Sequence, residues 1–174
     1  IGVFGRLDVS PPLLQLAARS GCKGLLMGLE SVSTTNLRSS SKTFNDPRKY
    51  HQVVQRLHDH GIALQGCFVF GLDEDQPDVF EKTAQFAIDA KIDLPRFAIV
   101  SPFPGTPLHK TLAEQGRIIT RDWQLYDGQH VVFQPAHMTT VELQRGAEKA
   151  WKLRPAMVAS RVASPPVRVT RTMN

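Results

Sequence analysis

Apolar strands that alternate with amphipathic helices predict an α/β fold with parallel strands and helical crossovers. Two stretches carry the prediction. Gly66-Cys67-Phe68-Val69-Phe70-Gly71-Leu72-Asp73-Glu74-Asp75 reads as an apolar strand that turns at a glycine into a run of acids. Leu25-Leu26-Met27-Gly28-Leu29-Glu30-Ser31 repeats the phrase in short form: strand, glycine, leucine, acid. The unbroken apolar run of the longer copy predicts a strand buried on both faces, as in a sheet covered by helices. In such folds chemistry gathers at the carboxyl ends of the strands, where both acids fall.

The elements follow in order. Residues 1–9 read as a strand remnant running into a loop. Ser10-Pro11 starts a helix, with Ser as N-cap and Pro in the first turn; Leu13, Leu14 and 16–18 give it an apolar face and Gly21 stops it. A strand over 24–28 leads into Leu29-Glu30-Ser31. The polar stretch 32–45 is predicted to be a loop. Asp46-Pro47 starts a second helix, whose Tyr50, Val53, Val54 and Leu57 share one face, and Gly61 ends it. The central strand covers about 62–70. Gln76-Pro77 opens a third helix, and a strand over 96–101 runs into the proline-stiffened loop Pro102-Phe103-Pro104-Gly105-Thr106-Pro107. A short helix over 108–115 stops at Gly116, and 130–133 could form a short strand. Thr139-Thr140-Val141-Glu142 is a capping box for a last helix ending near Leu153.

Four strands are too few to close an eight-stranded barrel, and no glycine-rich phosphate loop follows any of them. The expected architecture is therefore a partial (βα) TIM-like barrel over residues 1–116, completed by strands supplied upstream. A C-terminal helical extension follows over 117–153, and a disordered basic tail over 154–174. Ile1 stands where an initiator Met would, so the reading frame is expected to continue upstream.

Charge and cysteine content narrow the function. The net charge is +5, but Arg154, Arg161, Arg168 and Arg171 in the acid-free tail account for four of those charges. The nearly neutral body offers no footprint for a phosphate backbone, so nucleic acid is not an expected partner. No apolar run approaches the ~20 residues of a membrane span, and no signal peptide is visible. Cys22 and Cys67, the two cysteines, sit beside strand patterns and point to a reducing, cytoplasmic setting.

Gly21-Cys22-Lys23-Gly24 leading to Gly28-Leu29-Glu30-Ser31, His60-Gly61-Ile62 leading to 66–75, and Ser101-Pro102-Phe103-Pro104-Gly105-Thr106-Pro107-Leu108 together resemble the later half of the radical S-adenosylmethionine core. The likeness covers about residues 1–153, and is nearest to the subgroup that carries an upstream cobalamin-binding domain, such as hopanoid methylase-like enzymes. It implies that adenosylmethionine lies across the strand ends of a six-unit partial barrel. A [4Fe–4S] cluster on a CxxxCxxC loop would cleave it reductively to a 5′-deoxyadenosyl radical. This sequence has no CxxxCxxC. The resemblance therefore implies that the cluster ligands lie in a missing N-terminal half, which would also bring any cobalamin. It further implies a small-molecule substrate, a reductant such as ferredoxin or flavodoxin, and no activity of this chain alone.

Carried over residue by residue, the resemblance implies five cofactor-binding positions. Glu30 falls where the family places a polar residue near the ribose hydroxyls, and a carboxylate can accept from both. Lys42 falls where a basic residue pairs with the methionine carboxylate. Cys67, Val69, Gly71 and Glu74 align with GxIxGxxE, the apolar residue packing on adenine and Cys67 replacing the first glycine beside the ribose. Ser101 falls where the adenine edge is contacted. Four of them have a plainer reading beside the implied one: Glu30 as an exposed loop acid, Lys42 as a solvated lysine, Cys67 as a core thiol and Ser101 as a strand-end serine. Asp73 and Asp75 are expected to cap the following helix. No catalytic residue and no metal ligand is assigned to this chain. Two other readings stay open: an unrelated (βα) barrel enzyme with Glu30 and Glu74 as acid–base pair, and a degenerate barrel that only binds a nucleoside or a partner.

Overall fold

The computed structural model describes residues 2–4, 10–39 and 45–153; Lys42 and the 154–174 tail lie outside the described residues. In chain order the elements are β1 (Gly2–Phe4), α1 (Pro11–Arg19), β2 (Gly24–Glu30), α2 (Thr34–Ser39), α3 (Pro47–Asp59), β3 (Ala63–Phe70), α4 (Val79–Asp89), β4 (Leu94–Ile99), α5 (Pro107–Glu114) and α6 (Thr140–Leu153). A turn of 3-10 helix covers Trp123–Leu125. The strands form one sheet in the order β1-β2-β3-β4, every neighbouring pair parallel. The fold is α/β, as the alternation predicts.

Helix starts follow their capping chemistry. The Asp46 carboxylate accepts from Arg48 N at the head of α3, and Thr106 Oγ1 accepts from His109 N at the head of α5. The capping box of α6 is reciprocal: Thr139 N donates to Glu142 Oε2 at 2.7 Å and Glu142 N to Thr139 Oγ1 at 3.1 Å. At α1 the proline in the first turn suffices, since Ser10 makes no side-chain capping bond. The stretch 32–45 departs from the expected loop by holding α2. Ser33 starts it by accepting from Leu37 N at its carbonyl and from Asn36 N at its hydroxyl, and burial of Asn36 and Leu37 holds it down.

The central strand corrects a second expectation. It is buried on one face only. Leu64, Gly66, Phe68 and Phe70 of β3 are buried, while Ala63, Gln65, Cys67 and Val69 alternate with them half-buried. β2 repeats the pattern, with Leu25, Met27 and Leu29 buried. The aromatic rings show what covers the buried face. Phe70 meets Phe80 of α4 edge-on at 4.9 Å, Phe68 meets Phe86 of α4, and Phe97 of β4 meets Trp151 of α6. Tyr50 of α3 meets Phe86 as well. A continuous apolar run thus conceals an alternation between a face under helices and a face of mostly small or polar side chains.

Two boundaries also move. β4 starts at Leu94, two residues before the expected Arg96, because Pro95 sits on a strand paired on one side only and costs no ladder bond there. The expected strand over 130–133 is a single antiparallel bridge, Ile118 to Phe133, flanked by Ile119 N to Val132 O and Gln134 N to Arg117 O. No helix of the described residues is long and apolar enough to cross a membrane.

α6 reaches α4 through Gly146, where a Cβ would collide with the Phe80 ring. That ring also packs edge-on against Phe70. On an open helix surface Gly→Ala stabilises by about 1 kcal/mol. Here we expect Gly146→Ala to destabilise by about 1–3 kcal/mol through overpacking, measured as a lower urea midpoint at unchanged slope.

Candidate functional site at the strand ends

Parallel register puts the carboxyl ends of β2, β3 and β4 on one rim. Glu30 is level with Phe68, Val69 is level with Ala98, and Ser101 lies just past the end of β4. Glu30, Val69 and Ser101 therefore meet at the same end of the sheet. One step down, Gly28, Cys67 and Arg96 are register partners and form a row across three strands. This row lies on the face away from Phe68 and Phe97.

Glu30 is the distorted point of the rim. The β2–β3 register slips between Gly28 and Glu30, an extra residue in β2, and Glu30 has φ 66°. The left-handed region disfavours a non-glycine residue, and such distortion concentrates at functional sites. The side chain folds back over Gly28: a Cβ there would lie 2.7 Å from Glu30 Oε1. Asn45 Nδ2 donates to Gly28 O and Leu29 O, and Tyr50 Oη donates its one proton to Leu29 O at 2.7 Å and lies 3.2 Å from Ser31 O.

Cys67 is half-buried beside this carboxylate. Burial pushes its thiol up, the Arg96 charge pulls it down, and the Glu30 charge pushes it up again. The net rise keeps it a neutral thiol, not a thiolate nucleophile. The same three influences place Glu30, Cys67 and Arg96 around one spot. Ser101 Oγ accepts from Gly128 N at 3.1 Å, while Ile99 N donates to Gly128 O at 2.7 Å, so the extension is stitched to the β4 end. A cavity of about 450 Å³ opens at the β3 and β4 ends, lined among others by Gly71, Leu72, Val100, Leu108 and Phe133.

The acids after β3 act differently from expectation. Asp75 does not cap α4. It turns back, and its Oδ2 accepts from Gly71 N at 2.9 Å and Leu72 N at 3.0 Å, while Oδ1 accepts from Asn36 Nδ2 at 2.6 Å. It is 2 % exposed and ties the turn after β3 to α2. Asp73 also leaves α4 alone and pairs with Arg117 at 2.8 Å. Glu74 is exposed, so the structural carboxylate of this turn stands one residue beyond the GxIxGxxE position. Among the described residues no group of three or more His, Cys, Asp or Glu could hold a metal ion.

No protein-family model matches the chain. Curated relatives do. The bacteriochlorophyllide d C-12(1)-methyltransferase of Chlorobaculum tepidum is 39 % identical over 125 residues, covering 72 % of this chain and 27 % of the relative. The hopanoid C-2 methylase of Rhodopseudomonas palustris is 27 % identical over 112 residues, covering 64 % and 21 %. The chain thus spans about a quarter of the length of the relatives it matches. In structure it is similar to the radical S-adenosylmethionine methyltransferase TsrM from Kitasatospora setae, solved with cobalamin and a [4Fe–4S] cluster bound, with TM-score 0.63 at 18 % identity over 95 % of this chain and 38 % of that one.

The chain belongs to the radical S-adenosylmethionine superfamily.

Its relatives include a hopanoid methylase, and the solved structure it resembles in fold holds cobalamin. The unrelated-barrel alternative, with Glu30 and Glu74 as an acid–base pair, falls with this assignment. Four residues around the strand ends escaped the sequence reading as candidate site residues. Arg96 was legible in principle: Leu94, Arg96 and Ala98 alternate with buried Pro95, Phe97 and Ile99. It makes no hydrogen bond or ion pair among the described residues. Tyr50 looked like one more apolar contact of α3, Asn45 like a loop residue, and Asp75 like a cap.

Burial pushes the Asp75 carboxyl up to about 6, outweighing its three donors. Unfolded, the group titrates near about 3.9. Between about pH 4 and 6 the folded chain keeps a proton that the unfolded chain has released. Stability then falls as pH rises through that window, by on the order of 2 kcal/mol, and levels off above it. Asp46, Asp127 and Glu142 have lowered values, so their contribution is lost only below about pH 4. Urea denaturation across the window should show the decline, and Asp75→Asn should flatten it.

Proposed function

We propose that this chain supplies later strands of the partial (βα) barrel of a larger radical S-adenosylmethionine enzyme, and that its strand ends seat adenosylmethionine. In this reading residues 1–116 are barrel, 117–153 a C-terminal extension and 154–174 a basic tail. One observation carries it: Glu30, Val69 and Ser101, far apart in sequence, meet at one rim of the sheet, Glu30 and Val69 on the face away from α3, α4 and α6. That face is shaped for a ligand. Gly28 and Ala98 keep its surface low, and Cys67 adds only a thiol.

The chain's own residues then divide the work. Glu30 accepts from the two ribose hydroxyls, Val69 packs on the adenine, and Ser101, whose Oγ already accepts from Gly128 N, still has its proton to donate to the adenine edge. Lys42, expected to meet the methionine carboxylate, keeps that role as a proposal. Arg96 presents a forked cation deeper on the same face, suited to an anionic group. Bound there, adenosylmethionine is the superfamily's source of a carbon radical on one-electron reduction.

The iron–sulfur cluster does not fit this chain. Its 174 residues hold two cysteines, and the described residues offer no metal-holding group. Cluster ligands, and any cobalamin, would come from elsewhere in the whole protein. The names of the relatives favour methyl transfer to a small molecule; a reductant such as ferredoxin or flavodoxin and a cytoplasmic setting belong to the same proposal.

Two measurements test the reading. The product of the complete gene, reconstituted anaerobically with iron and sulfide, should release 5′-deoxyadenosine from adenosylmethionine, and this chain alone should release none. A stoichiometric cluster on this chain alone would overturn the assignment. Glu30→Gln in the complete protein should weaken adenosylmethionine binding roughly 10- to 100-fold, since a hydrogen bond to a charged group contributes about 1.5–3 kcal/mol. Equal affinity, read by calorimetry, would remove Glu30 from the site.

A further inference from the structure

The bend at Glu30 is held from one side. Two side chains near the start of α3 direct their donors to the carbonyls around it. Asn45 Nδ2 lies 2.9 Å from Gly28 O and 3.2 Å from Leu29 O. Tyr50 Oη lies 2.7 Å from Leu29 O and 3.2 Å from Ser31 O, so its one proton goes chiefly to Leu29. Ser31 N donates to Leu29 O at 2.8 Å, closing a three-residue turn centred on Glu30. Tyr50 is 0 % and Asn45 5 % exposed. Tyr50, packed against Phe86, reaches the rim from the covered side of the sheet, while the Glu30 carboxylate lies over Gly28 on the open side. Burial and the nearby Glu30 and Asp46 charges hold the Tyr50 proton, so it donates at any working pH.

A strand that merely ended here would need none of this. Its last carbonyls could turn to solvent or continue the ladder. Instead, buried donors fix the two carbonyls before a single residue and a phenol oxygen closes on the one after it, and that residue takes a backbone conformation unfavourable for glutamate. Gly28 completes the arrangement, since any side chain there would strike the carboxylate.

We propose that Tyr50 and Asn45 are positioning residues: through the carbonyls of Gly28, Leu29 and Ser31 they hold Glu30 in its left-handed bend, with the carboxylate laid over Gly28 to take a vicinal diol. The proposal rests on the reading that Glu30 binds the ribose hydroxyls, and it makes the bend, not the residue type alone, the basis of recognition.

The test compares S-adenosylhomocysteine with its 2′,3′-dideoxy analogue, both stable to cleavage, by calorimetry on the complete protein. The ratio of the two affinities isolates the diol. We expect wild type to favour the diol at least tenfold and Glu30→Gln to abolish that preference. Tyr50→Phe and Asn45→Ala should each cut the preference several-fold while leaving affinity for the dideoxy analogue within twofold. Gly28→Ala should also cut the preference, without removing a hydrogen bond. Glu30→Gln combined with Tyr50→Phe should lose no more than Glu30→Gln alone, because the tyrosine acts through the glutamate. If Glu30→Gln keeps the preference, the diol reading itself is overturned. If Glu30→Gln abolishes it but both clamp variants keep it, or weaken both ligands equally, the diol reading stands and the positioning role is overturned. Unfolding of both clamp variants would assign the clamp to the fold alone and overturn the proposal likewise.

Discussion

Phe68 and Phe97 lie side by side beneath the helices, rings 5.9 Å apart, and Phe70 stacks on Phe97 at 5.5 Å. This aromatic layer decides which way every other side chain of β3 and β4 points, because alternate residues of a strand must take opposite faces. Slip either strand by one residue and the phenylalanines would leave the core while Cys67, Val69 and Arg96 entered it. The chemistry of the rim therefore rests on burial on the far side of the sheet. Apolar packing under α4 and α6 sets the register, and the register assembles the row of Gly28, Cys67 and Arg96 and the rim of Glu30, Val69 and Ser101.

Much of this was legible in the residues. Caps such as Asp46 and the Thr139–Glu142 box are local chemistry, needing no partner outside their own turn, and the structure keeps both. The strand-glycine-acid phrase found both strand ends that matter, and the likeness to a known core was carried by the same stretches. Other features depended on contacts distant in sequence. α2 forms in a polar stretch because Asn36 meets a carboxylate 39 residues away. The bulge at Glu30 takes donors from Tyr50 of α3 and from Asn45 just before it, which read as an ordinary tyrosine and an ordinary loop asparagine. Two-faced burial was inferred for β3 because small and apolar residues look alike in a run, although only one set lies under helices.

The comparisons and the geometry carry different parts of the conclusion. The methyltransferase and methylase relatives establish descent, and the TsrM likeness establishes the shape of the sheet. Neither says which side chains meet a ligand. That step is a proposal supported by the rim itself, where a strained glutamate, a low-lying glycine and an arginine with no hydrogen bond among the described residues share one surface.

The bridge from Asp75 to Asn36 bears on how this region could be rebuilt. It fastens the turn following β3 to the short helix following β2, using side chains that no local pattern links. The two connections are thus a single inheritable module. A chimera that borrowed either one from a methyltransferase cousin would have to bring its counterpart along, or strand a buried charge between mismatched halves.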